Sequence, residues 1–172
     1  RKALGMVRSA LDDTPLLREA AGDWFRDIVG ALFGSRDPAT AHRHIREIFA
    51  MVPKGSSKTT YGAALMIVAL LMNRRPRALY LFVGPMQATA DRALNQAIGM
   101  IELEPALKRR FQIREHTKEI IDRVNKARLQ VKTFDLNILT GEIPAGVLLD
   151  EIHVLGKHHA TGKVLRQIRG GL

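Results

Sequence analysis

The sequence has no cysteine, few aromatic residues and no long apolar run. Without cysteine, the chain has no disulfide framework, no Cys-ligated zinc or iron–sulfur site and no thiol nucleophile. Its longest apolar run, residues 63–72, is about half of the roughly 20 residues that a membrane-spanning helix needs, and we expect no signal peptide. Because aromatic residues make up only 5% of the chain, it offers few platforms for stacking the bases of single-stranded nucleic acid.

What the chain has in excess is positive charge. It carries 27 Lys and Arg residues against 17 Asp and Glu residues, a formal net charge of +10. This excess indicates a polyanionic partner, although composition alone does not distinguish nucleic acid from an acidic protein. With 46% hydrophobic residues the chain can bury a core, and its 172 residues fit one compact domain.

The order of the predicted elements is that of an α/β protein. A helix capped by Thr14 is predicted over residues 16–33, and a buried strand over residues 45–52 ends at Pro53. Residues 59–72 predict a helix that is buried on several sides. The remaining predicted strands are residues 78–83, 119–124, 128–133 and 146–150, and the remaining helices are 89–102 (capped by Thr89), 105–111 and 161–168. This alternation predicts a mainly parallel sheet covered by helices.

The loop after the first predicted strand has the composition of a phosphate-binding loop. The small residues 55–57 allow backbone N–H groups to curve around phosphate oxygens, while Lys58 supplies a cation and Thr59 a hydroxyl for Mg²⁺. The strict pattern G-x-x-x-x-G-K-[ST] is not met, because Val52 and Ser57 stand at the two glycine positions. A polar loop that only caps the next helix through one of its serines therefore stays open as an alternative.

A second motif consists of two adjacent carboxylates, Asp150 and Glu151, at the end of an apolar strand. Asp150 can hold Mg²⁺ and Glu151 can polarise an attacking water, as metal-dependent phosphoryl transfer requires. For an isolated pair, capping of the following turn is the alternative. Because both motifs follow strands, a doubly wound sheet would bring them to one edge, and together they favour a P-loop ATPase.

Several further segments accompany these motifs in a fixed order. They are Glu47-Ile48-Phe49, Val52-Pro53-Lys54, Ser57-Lys58-Thr59, residues 73–78, 82–85, 88–97, 131–134, 139–141 and 144–146, Leu149-Asp150-Glu151-Ile152-His153, and residues 167–172. Over roughly residues 16–172 the sequence resembles the ATPase domain of the large terminase subunit of tailed bacteriophages, the motor that pumps DNA into capsids. The resemblance implies a three-layer P-loop NTPase of the ASCE or RecA-like type, with a mainly parallel central sheet flanked by helices.

The resemblance also implies roles for individual residues. Lys58 would bind the β- and γ-phosphates, Thr59 and Asp150 would hold Mg²⁺, and Glu151 would be the catalytic carboxylate. Lys54 stands where the family has a basic residue, often Arg, that senses or stabilises the γ-phosphate, and a Lys is not bidentate there. The nucleotide-binding set so implied is Trp24, Pro53, Gly55, Ser56, Ser57, Lys58 and Thr59.

The resemblance leaves the reading of the base open. The family has an adenine-reading Gln near Trp24, but Phe25 and Arg26 stand at that point here. Packing of Trp24 in the core is the alternative to a contact with nucleotide.

As a terminase motor, the chain would use ATP and Mg²⁺ and act on double-stranded DNA. The implied partners are the portal protein, the small terminase subunit and further copies in a pentameric ring, in the host cytoplasm at the procapsid portal and away from membranes. We expect residues 1–172 to be the motor domain, incomplete at its C-terminus and lacking the nuclease domain, so no nuclease activity is expected. The candidate DNA contacts are Arg74, Arg75 and Arg77 in one turn and Lys108, Arg109 and Arg110 in another; solvated turns are the alternative.

Two other functions fit the same residues. Asp150 and Glu151 followed by His153 also resemble the Asp-Glu-x-His box of a helicase-type ATPase. A non-catalytic basic DNA-binding protein with a degenerate nucleotide loop is the other alternative. The histidine pairs His42/His44 and His158/His159 lack the i, i+4 spacing of a helical metal site, so we predict that these histidines lie on the surface and bind no metal.

Overall fold

A computed structural model of the protein describes residues 15–135, 143–155 and 161–171. Its centre is a five-stranded sheet in the order β2-β3-β4-β1-β5. The strands are β1 Leu79–Gly84, β2 Phe111–Arg114, β3 Glu119–Asp122, β4 Arg128–Thr133 and β5 Gly146–Leu149. Strand β1 runs parallel to both β4 and β5, whereas β2 and β3 continue the sheet as antiparallel neighbours. The predicted α/β fold with a parallel centre is therefore confirmed.

Helices cover both faces of this sheet. They are α1 Leu17–Ala20, α2 Asp23–Gly34, α3 Lys58–Met72, α4 Gln87–Leu103, α5 Pro105–Arg110, α6 Ile152–Leu155 and α7 Thr161–Gly171. Alternate residues of β1 belong to two separate cores: Tyr80 and Phe82 pack with α3 and α4, and Leu81 packs with Val164 and Ile168 of α7. Because successive side chains of a strand point to opposite faces, the uninterrupted apolar run of β1 is buried on both sides in a three-layer arrangement.

The predicted helix over residues 59–72 is confirmed as α3, which begins one residue earlier. Nearly all of its residues between 63 and 70 are buried. A helix that is apolar nearly all round must have neighbours on most sides, and α3 packs against both the sheet and α4, which also contacts the sheet. This burial gives the helix a fixed position relative to the strands.

The prediction of one continuous helix over residues 16–33 is wrong. Two helices, α1 and α2, replace it, and they are separated at Ala21 and Gly22. Gly22 has extended backbone, and the Ala21 carbonyl accepts hydrogen bonds of 2.8 and 2.5 Å from the Arg26 guanidinium. The apolar pairs kept their helical spacing on each side, but the side-chain bond to Ala21 stabilises a break that the spacing does not reveal. Thr14, the predicted cap, lies outside the described residues.

The predicted strand over residues 45–52 is also wrong. The segment is irregular and mostly exposed, with Phe49 68% and Met51 87% accessible. Its apolar composition predicts burial, but a strand needs the edge of another strand, and no described strand pairs with this segment. The segment is tied to α7 by Glu47, whose pKa the Arg169 guanidinium lowers by donating hydrogen bonds to it.

Smaller differences concern element boundaries and short elements. Thr89 was predicted to cap a helix, but α4 begins at Gln87 and Thr89 is buried inside it. Phe111, predicted as the last residue of a helix, begins the unpredicted strand β2. The short helix α6 was not predicted either. Residues 139–141 and the pair His158/His159 lie outside the described residues, and His42 and His44 are exposed.

A buried ion pair joins α5 to the sheet. The Asp122 carboxylate is fully buried and accepts hydrogen bonds of 3.1 and 2.8 Å from the Arg110 guanidinium. Its other oxygen accepts the Val124 backbone N–H at 2.9 Å. Arg110 was a candidate DNA contact, but its side chain is occupied within the fold.

We therefore predict that Arg110→Ala destabilises the protein by about 3 kcal/mol, because it leaves a buried carboxylate without its cation. Urea unfolding measures this change. The neighbouring Arg109 is exposed, so Arg109→Ala is the matched control and should shift stability by no more than about 0.5 kcal/mol. Equal stability of the two variants would contradict the structural role of Arg110.

Across the described part of the chain, no helix combines the length and apolarity needed to cross a membrane.

Candidate functional site

The carboxyl ends of β1 and β5 form the edge at which the predicted motifs meet. Asp150 directly follows β5, and its backbone N–H donates to the Val83 carbonyl of β1 at 2.9 Å. This bond extends the pairing of the strands by one residue and fixes the start of the carboxylate motif. Asp150 is only 6% exposed.

The first turn of α3 lies against this edge. Thr59 Oγ1 donates a hydrogen bond of 2.7 Å to Asp150 Oδ2, although the two residues are 91 positions apart in sequence. Beside them, Lys58 Nζ is 3.7 Å from Glu151 Oε1, and both of these side chains are about one-third exposed. A hydroxyl–carboxylate pair and an ammonium–carboxylate pair thus lie side by side where the sheet meets α3.

The loop before α3 turns sharply because two of its residues have left-handed backbone. Gly55 has a φ of +85° and Ser57 a φ of +55°. Ser56 Oγ donates to the Pro53 carbonyl at 2.7 Å, and α3 has no side-chain cap at its N-cap residue Ser57. Neither serine therefore caps the helix through its side chain, which was the alternative interpretation of this loop. The uncapped N-terminus of a 15-residue helix is instead suited to an anion.

Glu151 also has left-handed backbone, with a φ of +51°. For a residue other than glycine this conformation costs on the order of 1 kcal/mol, and such residues concentrate at functional sites. The turn is stabilised because the Asp150 side chain accepts the Glu151 backbone N–H at 2.9 Å. One Asp150 oxygen thus orients Glu151 while the other binds Thr59.

The remaining residues of the predicted nucleotide-binding set lie in this loop or next to it. Pro53, Lys54 and Gly55 belong to the loop and are exposed. Trp24 in α2 is half-buried, and its ring makes an edge-to-face contact with Tyr61 of α3 at 5.3 Å. Trp24 thus packs at the margin of the core, and its partner Tyr61 lies one helical turn from the loop before α3.

Sequence reasoning missed a polar network at the same edge of the sheet. Thr133 at the end of β4 donates to Gln87, Gln87 donates to Asp91 at 2.8 Å, and Lys118 forms an ion pair with Asp91 at 2.5 Å. The Lys118 ammonium, together with Gln87, lowers the pKa of Asp91. Gln87 and Asp91 are four residues apart on a helix, a spacing that signals contact, but their links to Lys118 and Thr133 are tertiary.

The two predicted basic clusters do not lie at this edge. Residues 74–77 connect α3 to the amino end of β1, and α5 precedes the amino end of β2. The structure therefore places the candidate DNA contacts and the candidate phosphate site at opposite ends of the sheet. Among the described residues, no group of three or more Asp, Glu and His side chains is arranged to hold a metal ion.

Comparisons with known proteins agree with this geometry. A family model described as the terminase large subunit, ATPase domain, matches residues 23–171. Among solved structures, the crystal structure of the HK97 bacteriophage large terminase matches with a TM-score of 0.79 and 15% sequence identity, covering 99% of this chain and 34% of that one. The chain thus spans about a third of that protein's length, and at this identity the likeness shows the fold alone. Comparison with curated proteins gives no match.

Proposed function

This chain belongs to the ATPase domain family of the terminase large subunit, and we propose that it is an ATP-hydrolysing motor that uses Mg-ATP to move double-stranded DNA into a viral procapsid. The observation that carries the proposal is the contact between the two motifs. The Thr59 hydroxyl binds Asp150 at 2.7 Å and the Lys58 ammonium is 3.7 Å from Glu151. Phosphoryl transfer needs a phosphate cradle and a carboxylate pair at one point, and these four side chains supply both.

The phosphate-binding loop holds the β- and γ-phosphates in this proposal. Lys58 provides the cation, and the N-terminus of α3 with the backbone N–H groups of residues 55–58 provides further donors. Lys54 is exposed on the same loop and is the candidate for contact with the γ-phosphate. Trp24 is the candidate for contact with the base, because α2 carries it to the first turns of α3.

The oxygen donors at this point fit a hard divalent cation. Thr59 Oγ1 and Asp150 Oδ2 lie 2.7 Å apart, and hydroxyl and carboxylate oxygens are ligands that Mg²⁺ prefers. Thr59 and Asp150 are therefore the residues that would hold it. When bound, Mg²⁺ neutralises negative charge on the phosphate oxygens.

Glu151 is the candidate base that orients and deprotonates the attacking water. It is one-third exposed, so a water can reach it, and its left-handed backbone turns its side chain toward Lys58. Asp150 holds that backbone by accepting the Glu151 N–H. Glu151 lies 3.7 Å from the Lys58 ammonium, and phosphates that bind Lys58 would leave the carboxylate for water.

The proposal extends to the wider assembly. We propose that residues 1–172 act as the motor domain without nuclease activity, as one member of a pentameric ring. The proposed partners are duplex DNA, the portal protein and the small terminase subunit, in the host cytoplasm at the procapsid portal.

The direct test is phosphate release from ATP by the purified protein, measured with Mg²⁺ and again with EDTA. We expect turnover that depends on the metal. Turnover that is absent, or that is unchanged by EDTA, would contradict the proposal.

A further prediction concerns Ser57, which stands where the family pattern has glycine. Its φ of +55° is costly for branched side chains but not for glycine. We expect Ser57→Gly to bind ATP at least as tightly as the natural protein and Ser57→Val to bind about tenfold more weakly. Calorimetric titration measures both affinities. Ser56 lacks a positive φ, so Ser56→Gly is the control and should bring no gain; equal affinities for the Gly and Val variants at position 57 would refute the argument.

A further inference from the structure

The amino-terminal edge of the sheet carries one continuous basic surface, which the sequence shows only as separate clusters. The turn between α3 and β1 contacts the turn between β3 and β4. The Arg77 backbone N–H donates to the Asn125 carbonyl at 2.8 Å, and Asn125 Nδ2 donates to the Asn73 carbonyl at 3.2 Å. Arg123 in the second turn donates its backbone N–H to the carbonyl of Arg110, the last residue of α5, at 2.9 Å.

We call these two turns the amino-edge basic surface. Its exposed cationic residues are Arg74, Arg75, Arg77, Arg123 and Lys126. Segments 73–78 and 123–127 contain no acidic residue. Asp122, the carboxylate next to Arg123 in sequence, is buried and bound to Arg110, so it does not neutralise the surface. Arg123 and Lys126 were not among the predicted DNA contacts.

The backbone beneath this surface is firmly held. Asn73 accepts the Arg75 backbone N–H at 3.1 Å and donates to the Arg75 carbonyl at 2.7 Å, which closes the first turn. Tyr80 of β1 donates its hydroxyl to the same Asn73 side chain at 3.3 Å. In the second turn, Asn125 accepts the Ala127 N–H at 2.8 Å. The cationic side chains therefore extend from a rigid base, so little backbone entropy is lost when a ligand binds.

We propose that the amino-edge basic surface holds the phosphate backbone of duplex DNA. This inference rests on the proposed function, because it takes DNA as the polymer that is moved, and it adds where on the fold that polymer is held. Protein–protein interfaces have apolar, aromatic centres and little lysine, whereas this surface has five cations, no aromatic residue and only Val124 and Pro76 as exposed apolar side chains. Its chemistry matches phosphates and not base edges, as binding without sequence preference requires.

The surface lies at the far end of α3 from the phosphate-binding loop. Helix α3 begins at Lys58 and ends at Met72, directly before Asn73, and its 15 residues span about 22 Å. Substitutions in the basic surface therefore leave the nucleotide site intact. This separation allows DNA binding and ATP turnover to be tested independently.

The test compares two triple variants that remove the same charge. One is Arg75→Ala/Arg77→Ala/Arg123→Ala in the surface. The control is Arg92→Ala/Arg114→Ala/Arg166→Ala, three exposed arginines elsewhere in the fold. Labelled duplexes of two unrelated sequences are titrated by fluorescence anisotropy at several salt concentrations, and ATP turnover is measured in parallel.

We expect the natural protein to bind both duplexes equally, with affinity that falls steeply as salt rises. In the surface variant the slope of log affinity against log salt should be smaller by about 0.9 for each arginine that contacts a phosphate, and affinity should fall for both duplexes. The control variant should keep the larger slope. Basal ATP turnover should be the same in all three proteins.

Equal loss of affinity in both variants would overturn the inference, since only net charge would then matter. So would absence of DNA binding by the natural protein, or tighter binding of polyglutamate than of DNA to this surface. In each of these cases Mg²⁺-dependent ATP turnover would still support the ATPase part of the proposed function. Conversely, loss of DNA binding confined to the surface variant, in a protein without ATP turnover, would support the surface and refute the motor.

Discussion

Lys58→Ala should lower the affinity for Mg-ATP by at least about 100-fold while leaving the fold intact, because it removes the cation that we propose binds the phosphates. Lys58 lies in the first turn of α3 and is one-third exposed, and its ammonium lies 3.7 Å from the Glu151 carboxylate. It takes no part in the apolar core. Its loss should therefore remove binding and turnover without lowering the unfolding midpoint.

Isothermal titration calorimetry with Mg²⁺ measures the affinity, and urea unfolding tests the fold. Arg114→Ala is the control, because it removes one positive charge from an exposed position at the end of β2. The natural protein and Arg114→Ala should bind ATP alike. If Lys58→Ala also binds ATP as tightly, the loop is not a phosphate-binding loop.

Glu151→Gln should separate ATP binding from hydrolysis. The substitution keeps the size and hydrogen-bonding capacity of the side chain but removes the group that accepts a proton from water, so turnover should fall by about 10²- to 10⁴-fold. ATP binding should persist or become tighter, because the Glu151 carboxylate no longer competes with the phosphates for the Lys58 ammonium.

Asp150→Asn should instead weaken the Mg²⁺-dependent part of ATP binding, since Asp150 is the proposed metal carboxylate.

Turnover and affinity must be measured separately for this prediction, by phosphate release and by calorimetry. Glu115→Gln serves as the control, because Glu115 is an exposed carboxylate in a short 3₁₀ turn away from the site. It should hydrolyse ATP at the natural rate. Hydrolysis by Glu151→Gln at that same rate would assign the catalytic role to another residue.

The elements that the sequence predicts well are those whose burial shows as a continuous or alternating pattern of apolar residues. Strand β1 is buried at every position and α3 at nearly every position between 63 and 70, so continuous apolar runs reveal both. The same holds for β4, where buried Leu129 and Val131 alternate with partly exposed neighbours. Local chemistry of this kind needs no information about distant parts of the chain.

The wrong predictions concern segments whose conformation depends on contacts with distant residues. Residues 45–52 are as apolar as a strand, yet no described strand pairs with them, and pairing is a property of two segments. The break between α1 and α2 depends on the Arg26 guanidinium, which binds the Ala21 carbonyl. Strand β2 was missed because its four residues form a strand only against β3.

The sequence by itself determined the α/β class, the positions of both motifs and the family resemblance, because these depend on residue type, spacing and order along the chain. Only the tertiary structure decided which groups meet. It brings Thr59 to Asp150 across 91 residues, and it joins two basic turns through Asn125 while occupying Arg110 with Asp122. The physical reason is that a contact between distant residues depends on sheet order and on the parallel direction of the strands. Those follow from the packing of the whole domain and not from any one segment.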